Sequence, residues 1–359
     1  MPEFVRLGEI SEYIGERGQG VLGCLVEPFP RSNAFDPLAM TARSIAPNFI
    51  VVIRTAGERT FETCKSLVLN QVPESCLHIV NERPFEAALR RCYQIGIESN
   101  ADWMITLDAD VLLRERAIQG LLAEAAAMPS NHFQIEGRVF DKLTHRVRWA
   151  SHRCYRTRLL PLALEKLPKN KTVIRPESTT INWMAANGYP SHKSNQVYGI
   201  HDFEQFYADI YRKARIHAVK HKLWLGEMML HWYNMASKDA DFKIAIQGAA
   251  DGLCDPDSAT IDSRMYSEHA QSTLAKLKLN EKSPLEPTSI FEGYVETTLE
   301  FANKSRDILW LAHDGNSLHE RFRSRLGRLG ILRFIPYTIG AAMIDIGTHL
   351  KRIAEHANK

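Results

Sequence analysis

Trp103-Met104-Ile105-Thr106-Leu107-Asp108-Ala109-Asp110-Val111-Leu112-Leu113-Arg114 is an apolar run that carries two carboxylates to its end with one small residue between them. In an extended chain residues i and i+2 face the same side, so Asp108 and Asp110 can converge on one hard cation, which prefers oxygen ligands. The carboxyl end of a buried strand is also where an open α/β sheet receives a phosphorylated ligand. The spacing is cheap on its own, because the chain repeats it at Asp239-Ala240-Asp241. That copy follows Ser237-Lys238 with no buried strand before it and reads as a helix start or a surface feature.

Position separates the two copies. Phe49 to Ile53 is a continuous, β-branched apolar run of strand length, as for a strand buried on both faces. Thr55 and Glu58 then have the form of a capping box, which predicts a helix start. Phe61, Cys64, Leu67 and Val68 keep helical spacing until Pro73. Leu77 to Val80 predicts a second strand, and Pro84 to Glu98 a second helix with Phe85, Ala88, Leu89, Cys92 and Tyr93 on one face. Trp103 to Leu107 is the third strand, and Ile118, Leu121, Leu122 and Ala125 mark a third helix. Strands that alternate with helices and start about 27 residues apart predict a parallel sheet with right-handed crossovers. Three polar clusters, Arg54-Thr55, Asn81-Glu82 and the aspartates, then line one crevice at the strand ends.

The segment from Asn48 to about Met128 resembles the donor half of a family 2 glycosyltransferase with the GT-A fold. It has a first strand ending near a Thr, an amphipathic helix ending in Gln71-Val72-Pro73, a second strand, and a strand closing on Asp-x-Asp. The resemblance implies an α/β fold with a mainly parallel twisted sheet and flanking helices. It also implies transfer of a sugar from a nucleotide diphosphate donor, with inversion, using Mn²⁺ or Mg²⁺ held by Asp108 and Asp110. On this reading Asp110 binds the metal directly and Asp108 makes a ribose or water-mediated contact. Arg54, Thr55 and Arg59 serve the donor phosphates, the helix start after Thr55 offering free amides to an anion. Such enzymes usually carry consecutive aspartates after the second strand; here Glu82 stands in for the base-contacting carboxylate. The implied partners are a nucleotide-sugar, UDP-linked ahead of GDP- or TDP-linked, and a carbohydrate or lipid-linked acceptor. The implied plan is a catalytic domain over 48–250, split into donor (48–128) and acceptor (129–250) halves. Residues 1–47 form an extension of no recognised role, and 251–359 a linker with a mostly helical end.

In the acceptor half, Phe133 to Phe140 alternates like a strand with one wet face, and Arg146 to Ala150 is its return. Arg175 to Thr180 reads as a polar loop. Gly199 to Tyr207 opens a helix whose apolar side is Phe203, Tyr207, Ile210, Ala214 and Ala218. An inverting transfer needs a base for the acceptor proton, and the resemblance makes Asp202 and Glu204 the candidates, Asp202 first. Asp202 also fits a helix cap, while His201 fits a base, a positioning group or a plain loop hydrogen bond. His217 and His221 have the spacing of a zinc helix but lack the adjacent glutamate of a protease site, and read as part of a solvated basic helix end from Arg212 to Lys222. His231 is a candidate metal ligand because some GT-A enzymes add a late histidine; Met228 and Trp232 around it read as core.

At 359 residues, 45% hydrophobic and 24% charged, the composition is that of an ordinary globular chain. A net charge of +3 gives no argument for nucleic acid. The six cysteines, Cys24, Cys64, Cys76, Cys92, Cys154 and Cys254, contain no CxxC pair and are expected as reduced thiols of a reducing compartment. Met1 to Glu9 has no apolar signal core, so a cytoplasmic location is expected. Cys254 to Pro287 is expected to be partly irregular. Beyond Ser289 helical patterns dominate, and Arg321 to Arg333 precede an apolar stretch, Ile335 to Ile346, too short to span a bilayer. This end suits either an anionic membrane surface or packing on the catalytic domain or a second subunit. Two rivals to a glycosyltransferase share the pattern: a sugar-phosphate nucleotidyltransferase, which begins with a glycine-rich loop where this chain has only Gly57, and a non-catalytic nucleotide-sugar-binding or carbohydrate-binding protein.

Overall fold

The computed structural model describes residues 48–168, 176–255, 266–305 and 309–310. The N-terminal extension with Cys24, Arg175 and the arginine-rich C-terminal end lie outside the described residues. The donor half follows the expected order: β1 (Phe49–Arg54), α1 (Phe61–Leu69), β2 (Leu77–Val80), α2 (Phe85–Glu98), β3 (Trp103–Asp108), β4 (Val111–Leu113) and α3 (Ala117–Ala126). β1 pairs parallel with β2 on one side and β3 on the other. Its alternate residues serve opposite layers, as the strand period of two requires. Val51 and Ile53 join Cys64 and Val68 of α1, whereas Ile50 and Val52 join Leu89, Cys92 and Tyr93 of α2. The register sets Arg54 level with both Val80 and Asp108, which gathers the polar strand ends on one edge.

The capping box does not begin the first helix. The Glu58 carboxylate accepts from Thr55 Oγ1 at 2.9 Å and from the Ala56 amide at 2.7 Å, and Thr55 Oγ1 accepts from the Gly57 amide at 3.0 Å. These bonds close a turn, with Gly57 at φ +93°, and α1 starts only at Phe61.

The acceptor half contains β5 (Gln134–Asp141), β6 (Arg146–Arg156), α4 (Leu160–Lys166), α5 (Pro176–Ala186) and β7 (Ser191–His201). The sheet order is β2-β1-β3-β6-β5-β7-β4, with β8 (Leu309–Trp310) beside β6. β6 is antiparallel to β3 and β5, β5 and β7 are parallel, and β4 is antiparallel to β7. The chain thus has an α/β fold in which β1, β2 and β3 are parallel. β5 lacks the expected wet face. Ile135 and Val139 enter the core with α3, and polar residues are taken up by ion pairs, Glu136 with Arg153 and Asp141 with Arg148. The stretch expected as a loop after Arg175 is the start of α5.

A second layer consists of α6 (Tyr207–Lys220), α7 (Lys222–Met235), α8 (Ala240–Cys254) and α9 (Ser267–Leu277), packed around Tyr211, Trp232 and Ala245. α9 occupies part of the segment expected as irregular. α10 (Tyr294–Lys304) returns Val295 and Ala302 to the sheet core. Asp239 caps α8 by accepting from the Asp241 amide at 2.9 Å, and Asp241 is buried against Lys142 and Lys282. The second Asp-x-Asp is therefore the helix start its context suggested. Cys64, Cys76, Cys92 and Cys154 are free thiols. Among the described residues no helix is long and apolar enough to cross a membrane.

α6 and α8 approach closely because α8 carries glycine where the two backbones meet. A Cβ at Gly248 would lie 2.3 Å from the Tyr211 carbonyl oxygen, and one at Gly252 would lie 2.5 Å from that of Arg215. α5 is tied to the sheet by Glu177, whose carboxylate accepts from Arg54 Nη1 at 3.0 Å, Arg153 Nη1 at 2.5 Å and Tyr155 Oη at 2.8 Å. Burial alone would raise this carboxyl, but the two guanidinium groups outweigh it and hold it down at about 2.

Gly248→Val should lower unfolding free energy by about 2–3 kcal/mol in urea titration, the usual cost of overpacking. Glu177→Gln should cost about 3 kcal/mol at pH 7, because it takes from two buried guanidiniums, Arg54 and Arg153, one of the two carboxylates that each pairs with. Since the folded value lies below the ordinary 4.5, that stabilisation is full above pH 4.5 and fades as pH falls toward 2. Thermal melts of both proteins should accordingly converge in acid.

Candidate active site

A cavity of about 500 Å³ opens at the carboxyl ends of β1, β2 and β3. Arg54, Thr55, Glu58 and Glu82 line its donor side, Asp108 and Asp110 its floor, and Arg148, His201, Asp202 and the α6 residues its far side. The backbone builds the floor. β4 begins directly after Asp110 and β7 ends directly before Asp202; Val111 pairs with His201, and the Asp202 amide donates to the Asp110 carbonyl at 3.2 Å. Two carboxylates about 90 residues apart in sequence are thereby set side by side. Asp202 does not cap a helix. It sits in a loop at φ +64°, a region aspartate tolerates better than most residues, and α6 begins five residues later.

Asp110, His201 and Asp202 bring one potential ligand atom each to within 4.8 Å of one another. The His201 ring is oriented by Asp141, whose Oδ2 lies 2.7 Å from Nδ1, while Nε2 lies 3.5 Å from Asp110 Oδ1. Nδ1 also faces Asp202 Oδ2 at 3.2 Å, so Nε2 is left toward Asp110, and a carboxylate behind one ring nitrogen is the usual outer-sphere support of a histidine metal ligand. Lys213 of α6 bridges the outer oxygens, reaching Asp110 Oδ2 at 2.5 Å and also contacting Asp202 Oδ1. The inner oxygens, Asp110 Oδ1 and Asp202 Oδ2, are buried and face the two ring nitrogens of His201, Nε2 at 3.5 Å and Nδ1 at 3.2 Å respectively.

The protonation states follow from this crowding. Burial would raise Asp110 and Asp202, yet Lys213 and His201 hold both below the usual carboxylate range. Burial would lower His201, but Asp202, Asp110 and Asp141 outweigh it and push it up to about 10. Asp108 behaves differently. Burial, helped by Asp110 and Glu177, raises it to about 6 despite the Arg54 guanidinium at 2.8 Å.

The other residues singled out from sequence are distributed unevenly. Arg54 is buried, gives Nε to Asp108 and Nη1 to Glu177, and keeps Nη2 without a partner at the cavity. The amides after Thr55 are consumed by the Thr55–Glu58 turn and are not open to an anion. Glu82 is exposed at the cavity edge. Arg59 and Glu204 bind each other at 2.9 Å away from the cavity lining, and Tyr294 holds the second Glu204 oxygen. His231 stacks on His145 at 3.9 Å and packs against Phe242, apart from the cluster of Asp110, His201 and Asp202. His217 is not on a solvated helix end. It lines the cavity, and burial lowers it to about 4. Sequence reading passed over Lys213, Asp141 and Glu177. Lys213 sits beside the apolar positions Ile210 and Ala214 of α6, and nothing in its spacing distinguishes it from a solvated lysine.

No protein-family model matches the chain, and no curated protein matches it. Among solved structures it is similar to a mannosyltransferase of Pyrobaculum calidifontis in complex with GDP-Man and Mn²⁺, at 14% identity, 72% of this chain, 85% of that one and a TM-score of 0.35. It is similar to a glycosyltransferase involved in glycosylation of the major capsid of PBCV-1, at 12% identity, 41% of this chain, 82% of that one and a TM-score of 0.31. It is also similar to a CMP:2-keto-3-deoxy-manno-octonic acid synthetase complexed with CTP, at 12% identity, 43% of this chain, 92% of that one and a TM-score of 0.29.

Proposed function

We propose that the chain is a glycosyltransferase that moves a sugar from a nucleotide diphosphate to an acceptor hydroxyl with a divalent cation, Mn²⁺ or Mg²⁺, at Asp110, His201 and Asp202. The observation that carries this reading is the convergence of two buried carboxylates and a histidine, Asp110, Asp202 and His201, whose potential ligand atoms lie within 4.8 Å of one another. Two carboxylates and an imidazole are ligand types that Mn²⁺ and Mg²⁺ accept, and a cation among them would offset the repulsion between the buried acids. When bound, such a cation stabilises the charge that grows on the leaving diphosphate. The bond from the anomeric carbon to the diphosphate oxygen breaks with its electron pair leaving on the nucleotide. The acceptor oxygen forms the new bond, and its proton passes to a base.

The residues of this chain divide the rest of the work. Lys213 holds the outer oxygens of both aspartates and keeps them from turning away. Arg54 fixes Asp108 at the donor side, and Glu82 stands at the rim where a nucleoside would enter. Asp202, held below the ordinary carboxylate range, suits a cation ligand better than a proton acceptor. The nucleotidyltransferase alternative is disfavoured by the loop after β1, whose amides are bonded within the Thr55–Glu58 turn instead of being left for a triphosphate.

Three outcomes are expected. Calorimetry should show Mn²⁺ binding that weakens at least about tenfold in Asp110→Asn and in Asp202→Asn. If Asp202 is only the base, its variant will bind Mn²⁺ normally and lose turnover alone. Because His201 holds a proton up to about pH 10, cation binding must expel it, so Mn²⁺ affinity should rise about tenfold per pH unit between pH 6 and 8, and His201→Gln should flatten that slope. In a panel of UDP-, GDP- and TDP-sugars, hydrolysis of the accepted donor should need Mn²⁺ or Mg²⁺ and fall about 100-fold in Asp110→Asn. Turnover insensitive to both chelator and Asp110→Asn would remove the proposal.

A further inference from the structure

One face of α6 turns an acid-free set of side chains into the cavity. Arg212, Lys213, Ile216, His217 and Lys220 line it, continued by His221 at the helix end. The spacing of three to four residues places them on one stripe. Lys213 is committed to Asp110 and Asp202. Arg212 gives Nη2 to Asp209 at 3.2 Å, yet its Nε is buried without a partner, as is His217 Nδ1. Basic residues near a helix C-terminus ordinarily answer the helix dipole and point to water; these line a cavity.

The stripe lies on the acceptor side. His217 is close enough to Arg148 and Asp141 to feel both charges, and Arg148 stands on the part of β6 that pairs with β5, beyond the end of β3. At 1.5 Å per residue, Lys220 is about 10 Å along the helix axis from Lys213. A diphosphate seated at the Asp110 cluster would meet the Lys213 end of the stripe, and the outer part, about two helical turns on, stands where a second anion can sit.

We infer that the α6 stripe of Arg212, His217 and Lys220 binds a phosphate monoester carried by the acceptor, which makes the acceptor a phosphorylated molecule. This rests on the glycosyltransferase reading and names the substrate class for the acceptor side of that site. The phosphate is a handle: it orients the acceptor so that a hydroxyl elsewhere on it meets the anomeric carbon. The chemistry is shared by a lipid phosphate and a soluble sugar phosphate.

Calorimetry on the full chain tests it in two stages. UDP and GDP are titrated first with Mn²⁺; if neither binds, the glycosyltransferase reading falls and this one with it. The nucleotide that binds is then kept saturating while lysophosphatidic acid in micelles, glucose 1-phosphate, monoacylglycerol and glucose are titrated, both phosphates keeping a hydroxyl away from the phosphate. A phosphate ligand should bind at least about tenfold tighter than its uncharged counterpart. Arg212→Gln and Lys220→Gln should each erase most of that difference, with Arg212→Lys restoring part of it. Unchanged thermal melts show the variants folded. Preference for both phosphates points to a soluble or lipid source alike, and preference for lysophosphatidic acid alone points to a lipid. No preference for phosphate, displacement of the phosphate ligand by the nucleotide, or an equal loss of nucleotide affinity in the variants would overturn the inference and return the stripe to the donor diphosphate.

Discussion

Two carboxylates buried side by side repel each other unless positive charge stands among them, and Asp110 and Asp202 impose that condition on everything around them. With Asp141 they make three buried acids, and Lys213, protonated His201 and Arg148 make three bases within contact. The helix that brings Lys213 must therefore lie against the ends of β3 and β7, and it is held there by the glycine contacts of α8 beneath it. The backbone pairing of β4 with β7 forces the acids together, and the second helical layer supplies the compensation. Neither layer makes sense without the other.

The donor side solves a similar problem with different parts. Arg54 is charged and almost fully enclosed, and it is tolerated because Asp108 and Glu177 bracket it. Arg153 shares Glu177 and also reaches Glu136, so one ladder of alternating charges runs under the cavity from β1 to β5. Such a ladder resists distortion because displacing any rung strands a buried charge. It gives Asp108 a fixed orientation and a proton affinity distinct from that of its neighbour two residues on.

The donor half was legible in sequence because its signals are local. β-branched runs at Phe49 and Trp103, helical spacing from Phe61 to Val68, and Pro73 as a stop are properties of neighbours along the chain. What escaped depends on partners far away. β5 looked half-wet because its polar residues find buried counter-charges on β6, which no alternation reveals. Thr55 and Glu58 had the composition of a cap, but a glycine between them allowed a tight turn. Lys213 was invisible as a site residue because its role is conferred by Asp110, more than one hundred positions away, while Glu204 and His231 had plausible neighbours in sequence and other partners in space. Position relative to the strands set Asp110 on the cavity and Asp239-Ala240-Asp241 at a helix start, which is where the structure has them; it did not show that His201 and Asp202 would face Asp110 through a shared sheet edge.

The antiparallel seam between β4 and β7 also sets an order of events in folding. The donor half closes through local strand-helix-strand contacts, whereas the seam joins segments separated by some 90 residues and must await the long loop closure between them. Until Val111 meets His201, the chain holds Asp110 on one partly formed body and Asp202 on another, and the group of Asp110, His201 and Asp202 is incomplete. Under the proposed function, cation affinity would be a property of the finished sheet rather than of residues 48–128, and an ion that binds only the closed seam would stabilise the last step of assembly over the ones before it.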